Sequence, residues 1–482
     1  MPPCPPSTVQ PYANDDAVAH NKHDHDQAKQ EAAQHKDDKS KAPGDDTPTL
    51  DFRSITEWIS FVAGICILVL VGPTVGIVVF ASMIWEGIDR RFDGGFVDSG
   101  KELSGFLFTK FVPWLEQKTS KFNSKFVKRP QDAYMMNCIY GYGGLVPLMF
   151  FCCAYHIYRH GMNIWLAFGY HLLRIGPYFM NFAYVYTLCH KEGHSYAGLY
   201  GKEYNKSLLL RNVFNWWIGM FYGVLPATFA YGHSINHHRF NNGKSDVITT
   251  SDKPRDNFAN WVAYLSRYFL YASNISTIRQ FTSEGNYKVV YKVLVGSMWF
   301  WGWVVLWATL ISPTFAIAFV AFPFFEAGVL LAAVNWSWHA FLDPNDPENE
   351  YVQSITILDG AINVLNEDFH VVHHQFPGAH WTDHPSHRDK VWAEYIENRA
   401  SCFRRTHAFE IFGMSVARDY DALAKKFVDL YGEKHGCPMT HEERVTLIKQ
   451  RLRGCWWGPR VVDQKVAAAT TAVGKEDAKK GN

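Results

Sequence analysis

Histidines in four tight groups carry the chemistry that this sequence offers. Asn366-Glu-Asp-Phe-His370-Val-Val-His373-His374-Gln-Phe-Pro377 sets three imidazoles within five residues. His190 and His194 close one long apolar run, and His233, His237 and His238 close another. His339 ends a third, in Asn335-Trp-Ser-Trp-His339. Packing has no need of nine histidines placed where hydrophobic segments end, whereas a polynuclear metal site does. His190 and His194 stand four apart and share a face on a helix. The adjacent pairs His237-His238 and His373-His374 each follow a third histidine by three or four residues, so each cluster presents ligands to two neighbouring metals. Eight or nine ligands exceed the four of one tetrahedral zinc and suit two ions of higher coordination. Imidazole serves Zn, Cu, Fe and Ni alike. No thiolate belongs to a cluster, which disfavours an iron–sulfur centre. Redox iron beside a hydrophobic bundle points to O2 activation and attack on an unactivated C–H bond.

The elements that must position these histidines are apolar. Trp58 to Trp85 reads as a helix about 42 Å long, enough to span a hydrocarbon core of about 30 Å with tilt. Gly72-Pro73 near its centre is expected to kink it or turn it back. Ile139–Tyr158 and Asn163–Cys189 are joined only by Arg159-His-Gly-Met, which predicts an antiparallel hairpin that returns to the first histidine pair. Val293–Ile311 and Thr314–Trp338, turning at Ser312-Pro313, form a second hairpin that returns to His339. Val213–Tyr231 lies between two histidine groups that must share a face, so it is expected to be re-entrant or interfacial, bending at Pro226. Trp261–Ala272 is expected to be interfacial too. The Lys/Arg excess of Arg90–Arg129 argues for a cytosolic loop. All four groups then meet on the cytosolic side of an all-α membrane bundle of about four to five spans.

Composition agrees. The chain is 48% hydrophobic with 17 Trp, heavy for a soluble protein, and its mean hydropathy of -0.16 averages polar ends against an apolar middle. A net charge of +1 gives no case for nucleic acid. Residues 1–50 and 463–482 are too polar to bury a core and read as disordered tails; His20, His23, His25 and His35 of the first are read as solvated. Residues 51–400 form the membrane domain and 401–462 a cytosolic cap, with helices expected near Val416–Tyr431 and Thr440–Arg453. The first apolar run follows a long polar leader rather than a signal peptide. Cys66, Cys152 and Cys153 lie in apolar runs and read as reduced thiols.

Residues 136–400 resemble the integral-membrane fatty acid desaturase superfamily with its three histidine boxes. The first box is His190 and His194, the second His233, His237 and His238, and the third His370, His373 and His374. The extra histidine that follows the last span in that superfamily, with an asparagine four residues before it, matches His339 and Asn335, the latter as a water-mediated ligand. The resemblance implies a di-iron enzyme that uses O2 and two electrons, with a kinked acyl tunnel among the membrane helices. Its second box often has two intervening residues where this sequence has three. His370 stands where front-end desaturases carry Gln, and His-Val-Val-His-His before Phe376-Pro377 is most similar to methyl-end desaturases. No His-Pro-Gly-Gly haem motif occurs, so the electrons are expected from a separate carrier, cytochrome b5-like or a ferredoxin. The implied substrate is a lipid or acyl-CoA. Lys479-Lys480-Gly481-Asn482 resembles a dilysine signal for the endoplasmic reticulum membrane.

Other groups have two readings. Glu192, Glu367 and Asp368 sit beside the histidines and either orient them from outside the ligand shell or are simply solvated. His171 and Arg174 fall inside an apolar run, where charge is a functional hypothesis unless snorkelling or pairing explains it. His380, His384 and His387 lack box spacing and read as surface residues. A lipid hydroxylase or ketolase of the same superfamily is the nearest rival. A metal transporter is more distant, since it should carry ionisable residues on several spans, whereas here the histidines sit at span ends and Val293–Ile311 carries no charge.

Overall fold

The first apolar run folds as one helix. The computed structural model describes residues 55–93, 112–176, 179–195, 208–360 and 363–456, and in it α1 (Ile55–Asp93) continues through Pro73 instead of turning back. A proline removes one backbone bond, which a helix of this length and apolarity tolerates. The two polar tails, and 94–111 of the basic stretch, lie outside the described residues.

Four described helical runs are long and apolar enough to cross a membrane: Ile55–Pro73, Met135–His160, Tyr287–Leu310 and Pro313–Trp338. The second joins α2 (Ala133–Tyr140) to α3 (Val146–His160) through one π turn at Gly141–Leu145. Large side chains such as Leu148, Tyr155, Trp165, Met298 and Ile317 face outward, an exposure that lipid rather than water accounts for.

The expected continuous span Asn163–Cys189 is instead two helices. α4 (Ile164–Ile175) starts on an Asn163 cap that accepts from Trp165 N and Leu166 N, and it ends at Gly176, whose φ is +72°. A Cβ there would lie 2.5 Å from the Asn181 amide, so glycine is required, and Pro177 in the sequence bars the helix from continuing. α5 (Met180–Ser195) then carries the first histidine pair.

Val213–Tyr231, expected to be re-entrant or interfacial with a bend at Pro226, is a buried succession of short pieces rather than one helix. Val213–Trp216 and a 3-10 turn at Ile218–Tyr222 lead to Gly223 at φ +82° and then to a ten-residue π-helix, Thr228–His237. Phe214, Ile218, Phe221, Tyr222 and Leu225 are buried. Irregular backbone at membrane depth is tolerated where protein covers it.

α6 (Phe258–Ala272) is buried against protein along Trp261, Val262, Leu265 and Tyr268. It packs on α1 where a Cβ on Gly64 would meet Val262 O at 2.0 Å. α7 (Tyr287–Leu310) turns at Ser312, whose Oγ accepts from Phe315 N, and the backbone returns through α8 (Phe322–Trp338) to His339. This second hairpin is as expected.

Arg174 and Glu326 form an ion pair between α4 and α8, with neither side chain exposed. His171 joins it through Arg174 Nη2 at 3.2 Å and reaches Ala318 O at 3.0 Å. Pairing therefore accounts for the charges in the apolar run.

After Ala340 the residues form a polar cap. A two-stranded parallel sheet pairs β1 (Thr356–Ile357) with β2 (Cys402–Phe403). Ile357 N also donates to Asp368 O at 2.9 Å, which ties the sheet to α9 (His370–Gln375) and its three histidines. Farther on, α10 (His384–Lys390) leads toward the last helix. α11 (His441–Arg453) carries a full capping box from Thr440 and Glu443. The helix expected near Val416–Tyr431 is divided among Ala408–Val416, Tyr420–Lys426 and Leu430–His435. Asp419 and Asp429 cap the last two, and a capping residue whose side group bonds its own backbone starts a new helix rather than continuing the old one.

Candidate metal centre

Box two shows how the local fold places ligands. With three residues between His233 and the pair, an α-helix would bring His237 over His233. The π-helix adds one residue per turn, and His238 N donates to His233 O across five residues. This stacks His238 over His233, with their Nε2 atoms 3.0 Å apart, and leaves His237 to face elsewhere. π-helical turns inside helices are frequently found at functional sites, and here the widened stretch runs for ten residues.

The nine histidines converge into two groups. His190, His194, His233, His238 and His373 bring one ring nitrogen each within 4.8 Å of one another, and so do His237, His339 and His374. His370 joins the second group, its Nε2 lying 3.2 Å from that of His339. Box two is thus divided between the groups, and so is box three. In the first group His190 Nε2 is 2.7 Å from His233 Nε2 and 3.0 Å from His194 Nε2. Two metal–nitrogen bonds of about 2.1 Å at right angles would separate their nitrogens by about 3.0 Å.

The outer nitrogens explain why the inner ones are free to bind. His339 Nδ1 is 3.2 Å from Gln353 O, and a carbonyl only accepts, so Nδ1 carries the proton. Ser234 donates to Phe229 O and therefore accepts from His194 Nδ1 at 3.1 Å. His237 Nδ1 meets Asp246 at 2.5 Å, and His190 Nδ1 meets Glu367 at 3.3 Å. In each ring the Nε2 lone pair is left pointing inward, the arrangement that metal-bound histidines adopt. Bare lone pairs 3.0 Å apart, as on His190 and His194, repel unless a cation lies between them. The donor set fits metal ions.

Burial first, and then the neighbouring imidazoles, hold His194, His233, His238, His339 and His374 well below the usual histidine value. Burial does the same for His370 and His373. Neutral rings are the form that binds metal.

The three carboxylates have different surroundings. Burial works against ionisation of Glu367, but Lys191 at 2.6 Å and His190 outweigh it and hold the group well below the carboxylate range. Glu192 accepts from Phe214 N and from both nitrogens of Asn215, pinning the broken segment to α5, while burial pushes it up to about 7. Burial, with Glu367 and Asp359 nearby, raises Asp368 well above its usual value. Asn335 donates to Tyr264 Oη at 2.7 Å, one turn before His339.

Sequence reasoning missed Asp246. It is held by Asn242 N and Ile248 N in a tight loop, and only that closure carries it back to His237. It also put His384 on the surface. The structure buries His384 completely, with its ring 6.0 Å from that of His373. His380 pairs with Asp132 and His387 stacks on Phe376. Glu326, the partner of Arg174, was not singled out.

Two apolar cavities adjoin the centre. One is lined by Phe182, Thr187, Trp338, Glu367 and Phe409 among others. The other is lined by Phe229, Leu225, Tyr271 and Phe324 among others. Tyr186 and Leu331 belong to both walls. Trp338 stacks on His370 at 4.3 Å, and Phe229 lies 5.6 Å from His190.

The family model described as Fatty acid desaturase matches residues 163–406. No curated protein and no solved structure matches the sequence.

Proposed function

The chain belongs to the fatty acid desaturase family, and from that premise we propose that it is an O2-dependent di-iron oxidoreductase that desaturates a lipid acyl group. One observation carries the reading. Tyr186 and Leu331 line both apolar cavities, a shared wall that we read as their junction, and the histidine centre flanks them through Trp338 on one side and Phe229 on the other. An extended acyl group threaded past that junction would present a C–H bond from the middle of its length to the metal side.

The proposed ligands are His190, His194, His233, His238 and His373 for one ion and His237, His339, His370 and His374 for the other, with Asn335 acting through water. Two iron ions held there would supply O2 activation and hydrogen abstraction. Glu367 and Asp246 hold the outer nitrogens of His190 and His237. The cavity walls exclude water and fix the register of the acyl group, and positioning of this kind decides which bond reacts. A hydroxylase or ketolase outcome would use the same parts. A transporter has less support, because the two buried intramembrane charges, Arg174 and Glu326, are paired with each other.

We also propose that a separate carrier, cytochrome b5-like or a ferredoxin, delivers the electrons from the cytosolic side. Arg404, Arg405, Lys425 and Lys426 line one open pocket on the cap with Asp359; Asp421 and Glu410 pair with the two lysines, and the two arginines suit an acidic partner. Reconstituted with O2, a lipid acyl substrate and a reduced carrier, the protein is expected to yield a product with one further double bond. Leaving out the carrier is expected to stop the reaction, and raising salt to slow it. A hydroxylated product would favour the rival outcome, and full turnover without any carrier would contradict the proposed electron route.

A further inference from the structure

The third box is preceded by a strained turn. Leu365 and Asn366 both have positive φ, +53° and +56°, though neither is glycine. Two consecutive residues held in this region persist only where their surroundings over-determine them. The turn matters because Glu367 follows it at once and His370 comes three residues later. Glu367 reaches His190 at 3.3 Å and Lys191 at 2.6 Å, and His370 reaches His339 at 3.2 Å.

The surroundings that hold the turn come from the segment just after the third box. Asn366 Nδ2 donates to Trp381 O at 2.9 Å. His384 Nδ1 lies 3.3 Å from Asn366 O, so the ring nitrogen donates and the carbonyl accepts. The same carbonyl accepts from Phe369 N at 3.3 Å, which begins the approach to α9. The Arg388 guanidinium lies over the Phe369 ring at 4.9 Å. His384 itself is fully buried, the first residue of α10.

We infer that His384 is a positioning residue of the metal centre: by tying Asn366 O to α10 it fixes the turn that delivers Glu367 to His190 and His370 to His339. The inference rests on the reading of the nine histidines as metal ligands. It makes His384 a supporting histidine that binds no metal through its Nδ1.

The test is anaerobic titration of the metal-free full-length protein with ferrous iron, together with its thermal unfolding before iron is added. His384→Phe keeps an aromatic ring but loses the donor, whereas His384→Asn offers Nδ2–H where Nδ1–H was. Loss of an outer tie to a metal ligand typically weakens metal binding 10- to 100-fold. The Phe variant is therefore expected to bind iron about 10- to 100-fold more weakly, with the Asn variant recovering most of that loss. If the Phe variant does not fold, His384→Leu, which removes the same donor with a smaller apolar side chain, is expected to give the same weakening. Wild-type iron affinity in the Phe variant, or in His384→Leu where that replaces it, would overturn the inference. So would an Asn variant as weak as Phe. A wild-type protein that binds no iron would instead overturn the reading of the site, so the two failures are distinguishable.

Discussion

His373→Ala is expected to leave a folded, membrane-inserted protein that makes no product. His373 sits at the heart of the five-histidine group, its ring 4.6 Å from those of His190 and His238 and 4.9 Å from that of His194. Its backbone stays in α9, which Phe369 O and Val372 O anchor through His373 N and Phe376 N. The imidazole is thus dispensable for the fold and central to the donor set. Removing a neighbour of a ligand typically costs 10- to 100-fold in metal affinity or activity, so removing the ligand itself is expected to cost more than about 100-fold. Product formation, expression level and iron content together read this out. Wild-type turnover in the variant would mean that His373 is no ligand.

Leu331→Trp is expected to abolish turnover by a different route. Leu331 lies on α8 and lines both cavities, so an indole there fills the junction through which the acyl group is proposed to pass. A substrate stopped short of the junction presents the wrong carbon, or none, and misplacement of about 1 Å already costs about 100-fold. Activity is expected to fall at least about 100-fold while iron content stays at the wild-type level, which separates this variant from His373→Ala. A variant that retains its activity and its double-bond position would show that the substrate takes another path.

The histidine boxes were legible in the sequence because a ligand needs only its residue type and its spacing on a local element. His190 and His194 on α5 met the four-residue rule directly. Box two was legible as ligands but not as geometry. The extra residue between His233 and His237-His238 is absorbed by a π-helix, and no side-chain pattern in Thr228–His237 distinguishes that from an α-helix. The two hairpins were legible from apolar length and short links. The break at Gly176 was written as Gly176-Pro177, and the strong hydropathy on either side concealed it.

Asp246 and His384 were not legible, since each acts through a turn that only tertiary closure defines. Asp246 is folded back by the Asn242–Ile248 loop, and His384 is buried by its bond to Asn366 O. Glu326 is a different case. A lone carboxylate in the run Thr314–Trp338 must find a cation, and Arg174 was the one evident in another apolar run. The pairing in the structure follows from the high cost of leaving either charge alone in a low-dielectric core.

The central claim is that these nine histidines hold two metal ions. It is tested most directly by counting the ferrous ions bound per protein molecule when the metal-free wild-type protein is titrated without oxygen. The division into a five-histidine and a four-histidine group predicts a count of two. Saturation at one ion per molecule, or no binding at all, would contradict it.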